Sequence, residues 1–158
     1  MSTTNDLSTA TIRELARAIE ARELSPTTLA TLMLDRISKL DPELRAFNEV
    51  TSEQALARAA EAEQEIAAGN YRGPLHGIPV GLKDLLQTRD VRTTVSSRML
   101  GDWVPTENAT VVERLEAAGA TPAPTRARTR THADPRFWKA RSFESPIRCR
   151  TRSTTSGS

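Results

Sequence analysis

Gly73-Pro74-Leu75-His76-Gly77-Ile78-Pro79-Val80-Gly81-Leu82-Lys83-Asp84 is the stretch on which the reading of this chain turns. Turns punctuated by glycine and proline lead into a short apolar run, Ile78 to Leu82. The run is too short for a helix and contains Pro79 and Gly81, so it predicts an extended strand. Pro79 has no N–H to give to a ladder, which puts it at the strand's start or on an edge. Lys83 then stands where the strand emerges. A lysine there is either a solvated strand end or an amine held beside a buried site. Composition alone favours the first. Leu82 before it, with Leu85 and Leu86 after it, tilts the balance to the second by walling the amine off from water.

Upstream of this block the sequence reads as helices. Thr11 to Glu14 has capping-box spacing, and Ile12, Leu15, Ala16 and Ile19 share one helical face. This first helix is expected to run to about Arg22. Ser25-Pro26 is a start signal, serine at the cap and proline in the first helical position. Leu29, Leu32, Met33, Ile37 and Leu40 form the stripe of a second helix, closed by Asp41-Pro42. Arg45 to Val50 predicts a short strand. Thr51 to Gln54 again has capping spacing and opens an alanine-rich helix that ends at Gly69-Asn70. Glu61, Glu63 and Glu65 are expected mostly on its solvent side.

Downstream, Leu85 to Leu100 is a threonine- and serine-bearing connection, and Trp103 to Pro105 is a loop. Asn108 is the expected cap of a helix striped by Val111, Val112, Leu115 and Ala118 and ended by Gly119. From Thr121 onward neither a strand nor a helix period is present. That segment is rich in Arg, Thr, Ser and Pro, a composition that cannot bury enough surface to offset chain entropy, so disorder is expected.

Formal net charge is +2 over 158 residues, but the average hides a split. Arg126, Arg128, Arg130, Arg136, Lys139, Arg141, Arg148, Arg150 and Arg152 face only Asp134 and Glu144. The tail is therefore strongly basic and the first 120 residues are net acidic. Cys149 stands alone, which excludes an internal disulfide and a cysteine zinc site. No apolar run reaches membrane-span length, and Met1 to Asp6 lacks the features of a signal peptide, so a cytoplasmic location and no membrane partner are expected. His76 lies in a Gly/Pro turn and reads as structural or exposed. His132 has no partner at metal-ligand spacing, and no Gly-rich phosphate loop is present; no metal or cofactor is expected.

The block from Gly73 to Leu85 resembles the first signature block of the amidase signature family, which includes general amidases and one chain of the glutamyl-tRNA amidotransferase, its A subunit. Thr93-Thr94 with Ser96 to Leu100, and Asn108 to Leu115 with Ala118-Gly119-Ala120, resemble the segments that follow it. The resemblance stops after Ala120. It implies an α/β fold: the N-terminal fragment of the family's α/β/α body, helices around a mixed sheet. Residues 1–120 are then an incomplete domain and residues 121–158 a basic, disordered tail.

The same resemblance implies that Lys83 is the general base of a Ser–Ser–Lys triad acting on a small-molecule amide. Its amine, through a bridging serine, takes the proton of a nucleophilic serine. A free lysine has a pKa near about 10.4 and a working base wants one nearer about 7–8, so desolvation has to lower it. The family's serines lie in a Gly-Gly-Ser-Ser-Gly-Gly-Ser-like stretch well downstream of the lysine, and these 158 residues contain none. Ser96 and Ser97 read as loop residues, and Thr155-Ser156-Gly157-Ser158 as a polar end. The chain is thus expected to be truncated and inactive as it stands.

Two readings from other classes compete. The helices could form a non-catalytic interaction module. The arginines with Phe137 and Trp138 could contact phosphates and stack on bases. Both rest on composition alone, and the sequence says nothing of oligomeric state. A tail that breaks off where a strand is due reads better as the product of a shifted reading frame than as a nucleic-acid module. Translation of the downstream nucleotides in the other frames is expected to yield a Gly/Ser-rich serine block; its absence from both would overturn the frameshift.

Overall fold

The computed structural model describes Leu7 and residues 9–127 of the chain. Its elements are α1 (Ile12–Glu20), α2 (Pro26–Leu44), β1 (Phe47–Val50), α3 (Ser52–Ala67), β2 (Pro79–Lys83), α4 (Thr110–Ala117) and β3 (Thr121–Ala127). Among the described residues no helix is long and apolar enough to cross a membrane.

The first two helices start as their capping residues predict. Thr11 N–H donates to Glu14 at 2.7 Å, and Glu14 N–H donates back to Thr11 Oγ1 at 3.3 Å. Ser25 Oγ accepts the Thr28 N–H at 3.1 Å, with Pro26 in the first turn. α1 closes at Glu20, slightly before the expected Arg22, because Arg22 turns left-handed at φ 59°. Its guanidinium donates to the Ile66 and Ala67 carbonyls, both at 3.1 Å, and so places a cation on the open end of α3.

Three caps differ from expectation. α2 does not stop at Asp41-Pro42 but continues to Leu44. Asp41 performs the closure with its side chain instead, accepting the Ala46 and Phe47 N–H groups at 2.6 and 3.0 Å. This directs the chain into β1 and shortens that strand from the expected Arg45–Val50 to Phe47–Val50. Thr51 caps α3 by position but makes no side-chain cap bond. Ala109, not Asn108, stands at the start of α4. The Asn108 side chain is drawn into tertiary bonds, accepting from Arg89 N–H at 2.7 Å and donating to Glu116 at 3.0 Å.

α1, α2 and α3 share a core of Leu15, Ile19, Leu29 and Ile66, to which Ile78 adds its side chain just before β2. Leu29 and Ile19 are 0% and 1% exposed. Each such side chain contributes roughly 1.5–3 kcal/mol by burial, whereas an exposed helix pair such as Arg58–Glu61 contributes about 0.2–0.5 kcal/mol. The apolar seam therefore holds these helices. Two of the glutamates expected on the solvent side of α3 reinforce it. Glu63 accepts from the Thr27 and Ser25 hydroxyls at 2.6 and 3.0 Å. The Thr27 bond, chiefly, holds its carboxyl below the usual range. Glu65 meets His76 and Arg72.

The sheet has the order β1-β3-β2, with β3 parallel to β2 and antiparallel to β1. This corrects the expectation that no regular structure begins at Thr121. Thr121–Ala127 is the central strand, despite Pro122 and Pro124. The physical reason lies in where the missing donors fall. Thr121 N–H donates to Ile78 O at 2.9 Å, on the β2 side. Alternation turns the nitrogens of Pro122 and Pro124 the other way, toward β1. Pairing with β1 is at Thr125 and Ala127, beyond both prolines. Residues 128–158, with the arginine cluster from Arg128 on, His132, Phe137, Trp138 and Cys149, lie outside the described residues. The helices are laid on a mixed sheet rather than packed only on one another.

One junction brings β3 to β2. α4 ends at Gly119, whose φ is +78°, and Gly77 N–H donates to Gly119 O at 2.8 Å. The His76 ring lies against this glycine so closely that a Cβ at position 119 would be 2.6 Å from His76 Cδ2. His76 is buried, its Nδ1 accepting Arg72 N–H at 3.1 Å and its Nε2 meeting Glu65 at 3.1 Å. Acceptance at Nδ1 requires a neutral ring that donates from Nε2. Burial pushes the imidazole pKa down and the Arg72 charge adds to this, against the pull of Glu65.

Gly119→Ala is expected to lower stability by about 1–3 kcal/mol, through both the left-handed backbone and the clash, read as a fall in the urea midpoint. His76 generates a pH dependence of known sign. Because its folded pKa lies below the ordinary value of about 6.5, the unfolded chain binds the proton more readily. Its contribution is full above about pH 6.5 and drains away as pH falls below it. Urea midpoints measured across that range should slope less steeply in His76→Gln than in the parent.

Candidate functional site

Lys83 is the last residue of β2, at the carboxyl end of a strand that lies parallel to its neighbour. In open α/β sheets this is the edge at which ligands bind, because the loops leaving the strands converge there. The residue is half-buried, and among the described residues its amine has no hydrogen-bond or ion-pair partner.

The leucine wall expected around the amine is not built as the sequence suggests. Leu82 is buried, but successive strand residues point to opposite faces, so it cannot screen its neighbour. Beyond Lys83 the chain turns at once: Leu85 and Leu86 N–H groups donate to Lys83 O at 2.8 and 3.0 Å. That turn throws Leu85 outward, 54% exposed.

What surrounds the strand end instead is polar and tied down. Asp84 is buried and accepts Asn48 Nδ2–H from β1 at 2.8 Å and Thr94 N–H at 3.0 Å. The Thr94 hydroxyl also donates to it, and Val95 N–H donates to Asp84 O at 3.1 Å. One carboxylate thus fastens the end of β2 to β1 and to the loop beyond. Thr93, fully buried, anchors the same loop through its N–H to Trp103 O at 2.8 Å. Directly after these anchors Val95 and Ser96 are both left-handed, at φ 51° and 55°. A β-branched residue in that region is a true outlier, sustained only where the surroundings over-determine the backbone. Such outliers cluster at binding and catalytic sites.

Ser96 is exposed, and Ser97 Oγ accepts Met99 N–H at 3.2 Å, so both serve as turn residues of this loop. His76, left open by the sequence as structural or exposed, is structural. Asp84, Asn48 and Thr94 were missed as a group. The available signal was an acid directly after an apolar strand, with paired threonines ten residues on; nothing in the sequence pointed to Asn48 as the third partner.

The amidase family model matches residues 28–125. The match runs past Ala120 into β3, in accord with the strand found there. Among curated proteins, the A subunit of glutamyl-tRNA(Gln) amidotransferase from Dehalococcoides mccartyi is 48% identical over 115 residues, covering 73% of this chain and 24% of that protein. Its counterpart from an Azoarcus species is 50% identical over 111 residues, covering 70% of this chain and 23% of that protein. Among solved structures, the native peptide amidase of Stenotrophomonas maltophilia superposes with a TM-score of 0.73 at 36% identity. It is matched over 78% of this chain and 25% of that one. An amidase family protein of Bacillus anthracis gives 0.69 at 31% identity, over 76% of this chain and 24% of that one. The chain thus spans about a quarter of the length of the relatives it matches. A lysine at the mouth of a parallel strand, the glycine-bounded turn before it and the α/β frame around it all fall inside this match, and the chain belongs to the amidase family.

Proposed function

We propose that this chain carries the lysine arm of an amide-hydrolysing site of the Ser–Ser–Lys kind. The observation that carries this reading is Lys83 at the carboxyl end of β2, unpaired among the described residues and flanked by an anchored, strained loop. The Lys83 amine takes the proton of a bridging serine, which takes that of the nucleophile. The nucleophilic oxygen bonds to the amide carbonyl carbon, the C–N bond breaks, and the nitrogen leaves with a proton returned through the serine. Water then cleaves the acyl ester and regenerates the serine. The substrate is a small-molecule amide.

Both serines have to come from residues other than these 158, which hold no Gly/Ser-rich serine pair. The chain alone is therefore catalytically silent. The amine of Lys83 has no ion-pair partner among the described residues, which supports a role toward substrate over a structural salt bridge. The arrangement of Asp84 supports it as well: the carboxylate is occupied by Asn48 and Thr94 and holds the walls in place.

The purified 158-residue chain is expected to release no ammonia from simple carboxamides, and Lys83→Ala to change nothing. When this chain replaces the matching quarter of the Stenotrophomonas maltophilia peptide amidase, Lys83→Ala should cost about 10²–10⁴-fold in kcat, the usual size of a general-base contribution. Undiminished turnover in that variant, or turnover by the chain alone, would defeat the proposal.

A further inference from the structure

The His76 ring sits where β3 joins β2, held by bonds that suit a neutral imidazole. Nδ1 accepts the Arg72 N–H at 3.1 Å, its one partner among the described residues. A second proton goes on Nδ1 and turns that acceptor into a donor, so two N–H groups then face each other. Glu65 does not relieve this: its carboxylate meets the opposite nitrogen at 3.1 Å and is shared with the Arg72 guanidinium. The ring is 1% exposed, so water does not reach the new donor while the junction is closed.

The charges around the ring leave no spare carboxylate for it. Arg58, Glu61 and Glu65 of α3, Arg72 of the turn and Glu116 of α4 line a polar cleft of about 60 Å³ that His76 also lines. Arg58 pairs with Glu61 and Arg72 with Glu65, while Glu116 accepts from Asn108. Tyr71 stacks on the ring at 5.9 Å.

The two sides of the ring differ in how they are held. On the turn side, His76 N–H donates to Gly73 O at 2.9 Å and Ile78 N–H to Leu75 O at 3.0 Å, so the turn is closed by its own bonds. On the other side the ring meets Gly119 by contact alone. Beyond that contact, Gly77 N–H to Gly119 O and Thr121 N–H to Ile78 O carry the junction. Thr121 Oγ1 is buried there with no hydrogen-bond partner among the described residues. Opening at this point hydrates a hydroxyl that the closed form leaves unpaired, which lowers its cost.

We infer that His76 is a pH latch: a proton on Nδ1 drives the ring off Gly119 and releases β3 from β2, while α1, α2 and α3 stay packed. Leu15, Ile19, Leu29 and Ile66 hold those helices by burial, which the latch does not disturb. The polar cleft gives the charged ring a hydrated place to go. Once released, β2 has no ladder partner among the described residues, so the strand carrying Lys83 loses its frame in acid. That consequence for a reaction rests on the base role proposed for Lys83; the latch itself does not.

The test is amide hydrogen exchange on the full 158-residue chain, resolved by NMR and expressed as protection factors. A free histidine titrates near about pH 6.5 and the closed form resists the proton. Linkage therefore predicts that protection of the Gly77 and Thr121 amides falls about tenfold between about pH 7.5 and about pH 5.5. The Leu29 amide, bonded to Ser25 O at 3.0 Å in α2, keeps its protection. In His76→Gln, whose side chain does not titrate, Gly77 and Thr121 are equally protected at both pH values. Should that variant not fold, the parent decides alone: loss at Gly77 and Thr121 with Leu29 retained supports the latch. A fall shared equally by all three amides is global unfolding and overturns it. So does a junction indifferent to pH, or an equal fall in His76→Gln. Loss at the Arg72 amide while Gly77 and Thr121 stay protected overturns it too, because the turn then yields instead of the junction.

Discussion

The contact between the His76 ring and Gly119 is the constraint on which the rest of this structure depends. Gly119 is the point where α4 hands the chain to β3, and no side chain fits between its backbone and the imidazole. The junction is closed on both sides, by Gly77 N–H to Gly119 O and by Thr121 N–H to Ile78 O. Together these set β3 beside β2 in parallel. Only then does β2 have a ladder partner, and only then does Lys83 stand at the mouth of a sheet rather than on a loose segment. The ring is held in turn by Glu65 from α3 and by the Arg72 N–H, so the helical layer and the sheet meet at one neutral histidine.

Two kinds of stabilisation divide the molecule. The helices are held by burial, with Ile19, Leu29 and Ile78 removed from water, and burial tolerates small shifts. The end of β2 is held by directed bonds to one buried carboxylate, Asp84, and directed bonds do not tolerate them. That difference suits a site. In the base role proposed for Lys83, its amine has to meet a proton donor, which needs a strand end fixed in position and orientation. The left-handed pair Val95 and Ser96 fits the same account, since strain persists only where the surroundings fix the backbone, here through Asp84 at Thr94 and Val95 and through the Thr93 N–H to Trp103 O.

The apolar groove beneath the C-terminal half of α2 and the bare edge of β2 follow from the same architecture. A parallel strand in an α/β protein is ordinarily covered on both faces and paired on both sides. β3 meets that condition for pairing; β2 does not, among the described residues. The exposed leucines of α2 are the helical counterpart of that unpaired edge.

The sequence by itself determined a good deal. Capping residues set the starts of α1 and α2, because Thr11 and Ser25 satisfy N–H groups within their own first turn, an interaction complete within four residues. Hydrophobic spacing marked Leu15, Ile19, Leu29 and Val112 as buried, although Ile12, Leu32, Leu40 and Val111 of the same stripes are exposed, and the Gly73–Asp84 block marked both the strand and the family. Tertiary structure decided whatever depended on a distant partner. Asn108 left its cap for Arg89 and Glu116, and Glu63 and Glu65 turned from solvent to the Ser25–Thr27 start of α2 and to His76. Asp84 gathered Asn48 and Thr94 from segments that no local pattern links. β3 is the clearest case. Two prolines forbid it by local propensity, yet both point their missing donors toward β1 at a level where β1 has no pairing with β3, and β2 supplies the ladder on the other side. Propensity and capping act over a few residues and can be read along the chain; pairing and burial act between residues that only the fold brings together.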